Sequence, residues 1–409
     1  MSVSELLITL TREGVQLWDA GDPLAVRAPN GVLTSGLRSK LVEHKTEILA
    51  YLQGMNNSSI SSQLPTVHPS REQRHLPFPL TDIQQAYWLG RSGALELGDV
   101  GCHAYVEFEG RGIDLARLNI SWQRMIERHE ALRIIFEADG QQRILEQVPR
   151  YNIEVEDLRG KTVDAANERL ETVRRRMSHQ VLPMDQWPLF EIRAHLLHDA
   201  RIRLHFSVDL LIADGSSIAF LFNEWKRLYE DPDLVLPPLE LSFRDYVYAE
   251  MALRESEAYE RSRDYWFNKV ETMPPAPELP PARNADALSR TEFLRRSGTL
   301  NAEEWRRLKS RAGEAGLTPS GIVLAAFAEM LAVWSKSPNF TVNVVISNRF
   351  PLHPQVNDII GVFSSLNLLE VNHLKKYFAT QKAGNYHLHS KRCSMTGQVL
   401  QSGFLPACP

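Results

Sequence analysis

The sequence predicts a mixed α/β, or α+β, protein organised in more than one domain. Stretches with apolar residues at helical spacing alternate with short β-branched or alternating runs, and 409 residues exceed one ordinary compact domain. A polar segment and a proline-rich segment interrupt the pattern. An apolar fraction of 43% against 23% charged is that of ordinary globular proteins with substantial cores.

Residues 3–13 set Val3, Leu6, Leu7 and Leu10 at helical spacing, with Ser4 to cap and Glu5 near the positive helix end. Residues 15–18 and 24–27 alternate as strands on either side of a Gly- and Pro-containing turn, which predicts a hairpin. From 34 to 52 the apolar spacing allows one or two further helices. Residues 1–53 therefore form a small αββα unit, too small for an elaborate cleft and suited to holding a partner. Residues 54–74, rich in Ser, Asn, Gln and Pro, bury too little to order themselves and are expected to be a linker.

In the larger part, residues 115–136 predict a helix running into a strand, and 162–179 a second helix. Residues 203–209 alternate as a strand with Leu204, Phe206 and Val208 on one face. A helix over 217–229 follows, through Ile218, Leu221, Phe222, Trp225 and Leu228. Prolines between 274 and 281 stiffen an extended crossover between two lobes, 75–245 and 246–372. Beyond it, 319–334 predicts an apolar helix and 341–346 a β-branched strand. Residues 373–409 differ from the rest: no Asp or Glu, five Lys or Arg, three His and two of the three cysteines.

The net charge of −4 excludes broad electrostatic binding of nucleic acid. Cys102, Cys393 and Cys408 are too few and too scattered for a disulfide framework or a zinc site, so no metal is expected and a reducing cytoplasm fits best. No basic leader or membrane-length apolar run is present, so no membrane partner is expected.

The chemistry concentrates in His205-Phe-Ser-Val-Asp209-Leu-Leu-Ile-Ala-Asp214-Gly-Ser-Ser217, where two acids bracket an apolar strand end and a helix start. Carboxylates beside Leu210, Leu211 and Ile212 are costly to bury without partners. For a single aspartate, the ordinary expectation is that Asp214 pairs with an arginine and caps the turn while Asp209 faces solvent. Gly215 would relieve the turn, and Ser216 or Ser217 would cap the next helix. His129 and His205 are more often hydrogen-bonded core residues than catalysts.

These residues carry a specific resemblance. Asp209, Asp214 and Ser217 match the DxxxxDxxS signature of the heterocyclization domains of nonribosomal peptide synthetases, in place of the HHxxxDG signature of ordinary condensation domains. Leu210 then occupies the place of the usual catalytic histidine. Phe78-Pro-Leu-Thr-Asp-Ile-Gln-Gln-Ala-Tyr-Trp-Leu-Gly-Arg91 resembles the family's opening motif. Arg128-His129-Glu130-Ala131-Leu132-Arg133, the proline crossover and the run from Thr318 to Trp334 resemble the next three. The stretch from Gly361 to Leu369 resembles the fifth, with Val362 where the family has Asp. Residues 1–53 are similar to TubC-type docking domains.

The resemblance implies a two-lobed fold like chloramphenicol acetyltransferase, facing a tunnel that receives two carrier-bound substrates. It implies no directly bound cofactor: an acyl donor and a Cys, Ser or Thr acceptor arrive on the phosphopantetheine of partner carrier domains. They are joined by an amide bond and cyclodehydrated to thiazoline or oxazoline. Asp209, Asp214 and Ser217 become the candidate catalytic residues. Asp214 is expected to position, Ser217 to cap and orient, and Asp209 to anchor the tunnel wall or handle a proton. Tyr87 and Arg91 are candidate substrate contacts, Arg91 for a carboxylate or carrier phosphate. Leu24, Val26, Arg27 and Lys40 are expected to dock the C-terminal tail of an upstream synthetase by strand addition and charge. The family's later motifs do not follow residue 371. The second lobe is therefore expected to be incomplete, to expose apolar surface and not to cyclise. The competing reading is a docking module carrying an inactive condensation remnant.

Overall fold

The computed structural model of the chain describes residues 16–18, 25–27, 35–48, 67–91, 100–280, 297–315 and 317–372. They divide between two compact units. The described residues of the first fall within 16–48 and 300–325, and the second holds the rest.

In the first unit, β1 (Gln16–Trp18) pairs antiparallel with β2 (Ala25–Arg27), with Gln16 opposite Arg27 and Leu17 opposite Val26. The helix α1 (Ser35–Glu43) follows, and Lys40 stands exposed on it. The helix expected over 3–13, and Leu24, lie outside the described residues.

The second unit opens with β3 (Phe78–Pro79), α2 (Asp82–Gly90), β4 (His103–Arg111) and α3 (Leu115–Arg128). Then come β5 (Ile134–Phe136), β6 (Gln141–Ile144), β7 (Glu154–Asp157), α4 (Val163–Met177), β8 (Phe190–Leu196) and β9 (Arg201–Asp209). The helices α5 (Gly215–Glu230), α6 (Phe243–Ala252) and α7 (Glu257–Val270) complete this stretch. One sheet has the order β4-β9-β8-β7, antiparallel except for the β7–β8 pair, and a second has the order β3-β6-β5.

The alternation expected of β9 is present, and it decides what each face of the sheet does. Ile202, Leu204, Phe206 and Val208 are buried on one face. There α3 presents Leu118, Trp122, Met125 and Ile126, a helical stripe one face wide. The Trp122 ring lies 5.2 Å from Phe190, 5.5 Å from Phe206 and 4.7 Å from Trp225 of α5, which fixes both helices on the sheet. On the other face, Tyr105 clusters with Val173 and Met177 of α4. The polar residues His205, Ser207 and Asp209 are consequently buried as well, at 0, 0 and 2% exposure.

Residues 273–280 carry no helix or strand, as their prolines require. They are tied to the strand β10 (Asn339–Ser347) by Thr341, whose N–H donates to Pro275 O at 2.8 Å and whose Oγ1 donates to Pro274 O at 2.7 Å. β10 pairs antiparallel along its whole length with β11 (Ser364–Asn372). Two further helices precede β10. α8 (Ala302–Glu314) has a capping box between Asn301 and Glu304, and α9 (Pro319–Trp334) is the apolar helix expected there. Among the described residues, no single helix is long and apolar enough to cross a membrane, and no cluster of His, Cys, Asp or Glu is arranged to hold a metal ion.

Candidate functional site

The turn between β9 and α5 is held from three sides. Its first acid, Asp209, does not face solvent: it is 2% exposed and forms an ion pair with the Arg91 guanidinium, itself only 5% exposed. Arg91 Nη1 donates to Leu182 O at 3.2 Å, and Asp209 Oδ1 accepts from the Leu211 N–H at 3.0 Å. Burial pushes the Asp209 carboxyl above its ordinary range, and Arg91 opposes that shift. The arginine partner expected for Asp214 thus belongs to Asp209, because β9 ends with Asp209 aimed at the C-terminal end of α2.

Asp214, not Ser216 or Ser217, is the N-cap of α5. Its Oδ1 accepts from the Ser217 N–H at 2.8 Å, and its backbone is extended while Gly215 begins the helix. Gly215 is no conformational necessity, since a Cβ there would meet nothing within 4 Å. The second Asp214 oxygen reaches across to the start of β11, accepting from Phe363 N at 3.0 Å and Ser364 Oγ at 3.2 Å. The Asp214 N–H donates to Gly361 O at 3.0 Å.

Ser217, fully buried, reinforces the same crossing. Its hydroxyl donates to Gly361 O at 2.7 Å and accepts from Gly361 N at 3.2 Å and Arg349 Nη2 at 2.8 Å. Arg349 also donates to the carbonyls of Val356 and Ile359 and lies 3.9 Å from the Phe363 ring centre. Burial lowers its pKa, and the Asp214 charge opposes that. Gly361 must be glycine because a Cβ would stand 2.3 Å from the Phe243 ring.

The helix α2 supplies the third side, and its sequence shows why. Thr81 caps it in a reciprocal box with Gln84. Gln84, fully buried, donates through Nε2 to Leu211 O at 2.7 Å and pairs amide to amide with Gln142 of β6, at 2.8 Å in each direction. Two turns further on, Arg91 reaches Asp209. Tyr87, half-buried between them, stands beside the Cys102 thiol. Burial first, then that thiol and the Asp214 charge, push the Tyr87 hydroxyl up to about 12. Burial also raises the Cys102 thiol.

Leu210 is half-buried, and its N–H donates to Cys102 O at 3.0 Å. Val362 is 2% exposed and lines a cavity of about 30 Å³ with Asp82, Glu250 and Arg254. An aspartate at that position would add a third carboxylate to a cavity holding one arginine, at high cost.

The structure therefore joins Arg91 to Asp209 and Asp214 to Ser217, and brings Tyr87 to the same turn through Cys102. Val26, Arg27 and Lys40 fall in the first unit. Sequence reasoning missed Gln84, Gln142, Cys102, Arg349 and Gly361. Gln84 carried a readable signal, the Thr-x-x-Gln capping pattern, and Gly361 opened the stretch that resembles the fifth motif. Chemically, both carboxylates are engaged by donors, the Ser217 hydroxyl donates to a backbone carbonyl, and Tyr87 and Cys102 keep their protons at neutral pH. Such a turn holds a shape and donates hydrogen bonds.

The chain is similar to known proteins along most of its length. Residues 76–379 match the condensation domain family, and residues 3–54 match the TubC N-terminal docking domain. Pyochelin synthetase PchF of Pseudomonas aeruginosa is 38% identical over 373 residues, covering 91% of this chain and 20% of the synthetase. Phenyloxazoline synthase MbtB of Mycobacterium tuberculosis is 36% identical over 301 residues, 72% of this chain and 21% of that protein. The chain thus spans about a fifth of the length of these curated relatives. Among solved structures, the EpoB NRPS cyclization-docking bidomain from Sorangium cellulosum superposes with a TM-score of 0.77 at 38% identity, over 96% of this chain and 77% of that one.

Proposed function

Because this chain belongs to the condensation domain family, we propose that it performs condensation and heterocyclization in a nonribosomal peptide synthetase. The observation that carries this reading is the turn from Asp209 to Ser217, locked by Arg91, Gln84 and Gly361, with Leu210 where a catalytic histidine would stand. The names of two similar proteins, the EpoB cyclization-docking bidomain and phenyloxazoline synthase MbtB, support it.

In the proposed reaction, an acyl donor and a Cys, Ser or Thr acceptor arrive as phosphopantetheine thioesters on carrier domains. The acceptor amine attacks the donor thioester carbon, the C–S bond breaks, and the donor thiol leaves with the proton lost by the amine. The acceptor side-chain sulfur or oxygen then adds to the new amide carbonyl, whose oxygen departs as water, leaving thiazoline or oxazoline. Asp209, Asp214 and Ser217 act as positioning residues that fix the turn, and Tyr87 and Arg91 support it from α2. Most of the rate gain then comes from holding two tethered reactants in line. We assign the first unit to recruiting the C-terminal tail of an upstream synthetase along β2, at Val26 and Arg27, with Leu24 and Lys40 as further candidate contacts. We assign this work to a reducing cytoplasm, which suits three scattered cysteines.

The test offers the protein an acyl-loaded donor carrier and, in parallel, cysteinyl-, seryl-, threonyl- and alanyl-loaded acceptor carriers, followed by intact-protein mass spectrometry. Acyl transfer is expected for at least one of the first three, and a product lighter by one further water, absent with alanyl, would overturn the expectation that this chain by itself does not cyclise. Absence of acyl transfer to every acceptor refutes the proposal.

A further inference from the structure

Apart from the turn at Asp209–Ser217, one charged side chain in the second unit sits where electrostatics disfavours it three times over. Arg244 occupies the first turn of α6, at the positive end of the helix dipole. It is only 7% exposed. It forms no ion pair among the described residues. Its guanidinium makes one long hydrogen bond, Nη1 to Gln73 Oε1 at 3.4 Å, and its Nε is buried without a partner.

The adjacent carboxylate does not serve it. Asp245 is turned back to cap the helix, accepting from the Ser242 N–H at 3.0 Å and Oγ at 2.6 Å, and its other oxygen accepts from Ser70 N at 3.2 Å. Stacking of the guanidinium on the Tyr248 ring, 4.5 Å from its centre, recovers only part of what a buried cation loses in leaving water. Arg244 lines a cavity of about 340 Å³, large enough for a small organic ligand, and Asp245, occupied by its own donors, lines it too. His68 and Ser70 line it beside Arg244, and Val67, Ala249 and Ala252 supply apolar wall.

We propose that this cavity is a binding site for a small oxyanion, a carboxylate or phosphate carried on a short apolar body, with Arg244 as its anchor. An arginine presents several N–H groups in a plane, so an oxyanion is met by paired hydrogen bonds, and the helix dipole adds to the attraction. Ser70 and His68 line the cavity as further polar residues, and the apolar wall receives the body of the ligand. The site is separate from the Asp209–Ser217 turn and does not depend on the reaction proposed above.

The experiment titrates the full chain with inorganic phosphate and, separately, with butyrate, followed by calorimetry and by the thermal transition. Saturable binding of at least one probe is expected, and the two arms decide whether phosphate or carboxylate is preferred. Arg244→Gln is expected to weaken binding at least tenfold. Arg244→Lys, which keeps the charge and the aliphatic packing but loses the planar fork, is expected to weaken it less, and it serves if the glutamine variant does not fold. Failure of both probes to bind the unaltered protein, or equal binding by a folded Arg244 variant, overturns the proposal.

Discussion

Arg91 and Asp209 lie 118 positions apart in the chain and form a buried ion pair at the C-terminal end of β9. The pair ties the opening helix motif to the paired-acid turn. It also occupies the one carboxylate that the sequence left open as a proton acceptor. Arg91→Leu strands that charge in a buried site, and a loss of about 3–5 kcal/mol is expected on urea denaturation. Replacing both residues by leucine is expected to recover much of the loss. Equal stability of the single variant and the native chain would mean that the pair contributes nothing.

The crossing from α5 to the segment at the start of β11, which Asp214 also holds, uses one Ser217 hydroxyl and needs a hydrogen atom for a side chain at Gly361. Ser217→Ala removes the group that bonds Gly361 and Arg349, and about 1–3 kcal/mol of stability is expected to go with it. Gly361→Ala forces a methyl into the Phe243 ring, and overpacking of that kind costs about 1–3 kcal/mol. Because the crossing sets the shape of the turn, both variants are expected to slow acyl transfer by at least tenfold. Native rates in a folded Ser217→Ala protein would separate the crossing from the chemistry.

Beside Val362, Asp82 and Glu250 share a single arginine, Arg254, which donates to Asp82 at 3.1 Å. Burial pushes Glu250 from its ordinary 4.5 to about 8 and Asp82 from 3.8 to about 6. The folded protein therefore holds protons that the unfolded chain has released. This contribution to stability is full below about pH 4 and falls as the pH rises through 6 and 8. Glu250→Gln is expected to flatten the decline of the melting temperature between pH 5 and 8. An unchanged slope would show that Glu250 does not titrate there.

The sheet face under α4 gives the opposite sign. His205 is buried, its Nδ1 2.6 Å from the Tyr105 hydroxyl, and burial lowers it from 6.5 to about 4. The unfolded chain takes a proton that the folded protein refuses. Stability from this residue is full above pH 6.5 and is lost as the pH falls toward 4. His205→Gln is expected to reduce the acid sensitivity of the melting curve over that window, and an identical acid limb would contradict the assignment.

Much of the fold was legible because local patterns and tertiary contacts agree. The stripe Leu118, Trp122, Met125 and Ile126 is visible as spacing and is buried as expected, and the alternation of β9 faces the same core. The site was legible as a list but not as a set of partnerships. Which acid meets an arginine depends on where β9 ends relative to α2, and the long-range pairs Gln84–Gln142 and Ser217–Gly361 have no local signature. The capping of α5 was misplaced by two or three residues because Asp214, Ser216 and Ser217 are all good caps, and only the crossing to Phe363 decides among them.

The most direct test of a turn that positions without supplying a base is the pH dependence of acyl transfer in a single turnover, from loaded donor carrier to cysteinyl carrier. The expected rate rises along one limb, set by deprotonation of the acceptor amine, and keeps that shape in Tyr87→Phe and Asp209→Asn proteins even where its height falls. A second limb in the native protein that disappears in Asp209→Asn would identify that carboxylate as a general base and contradict the positioning role.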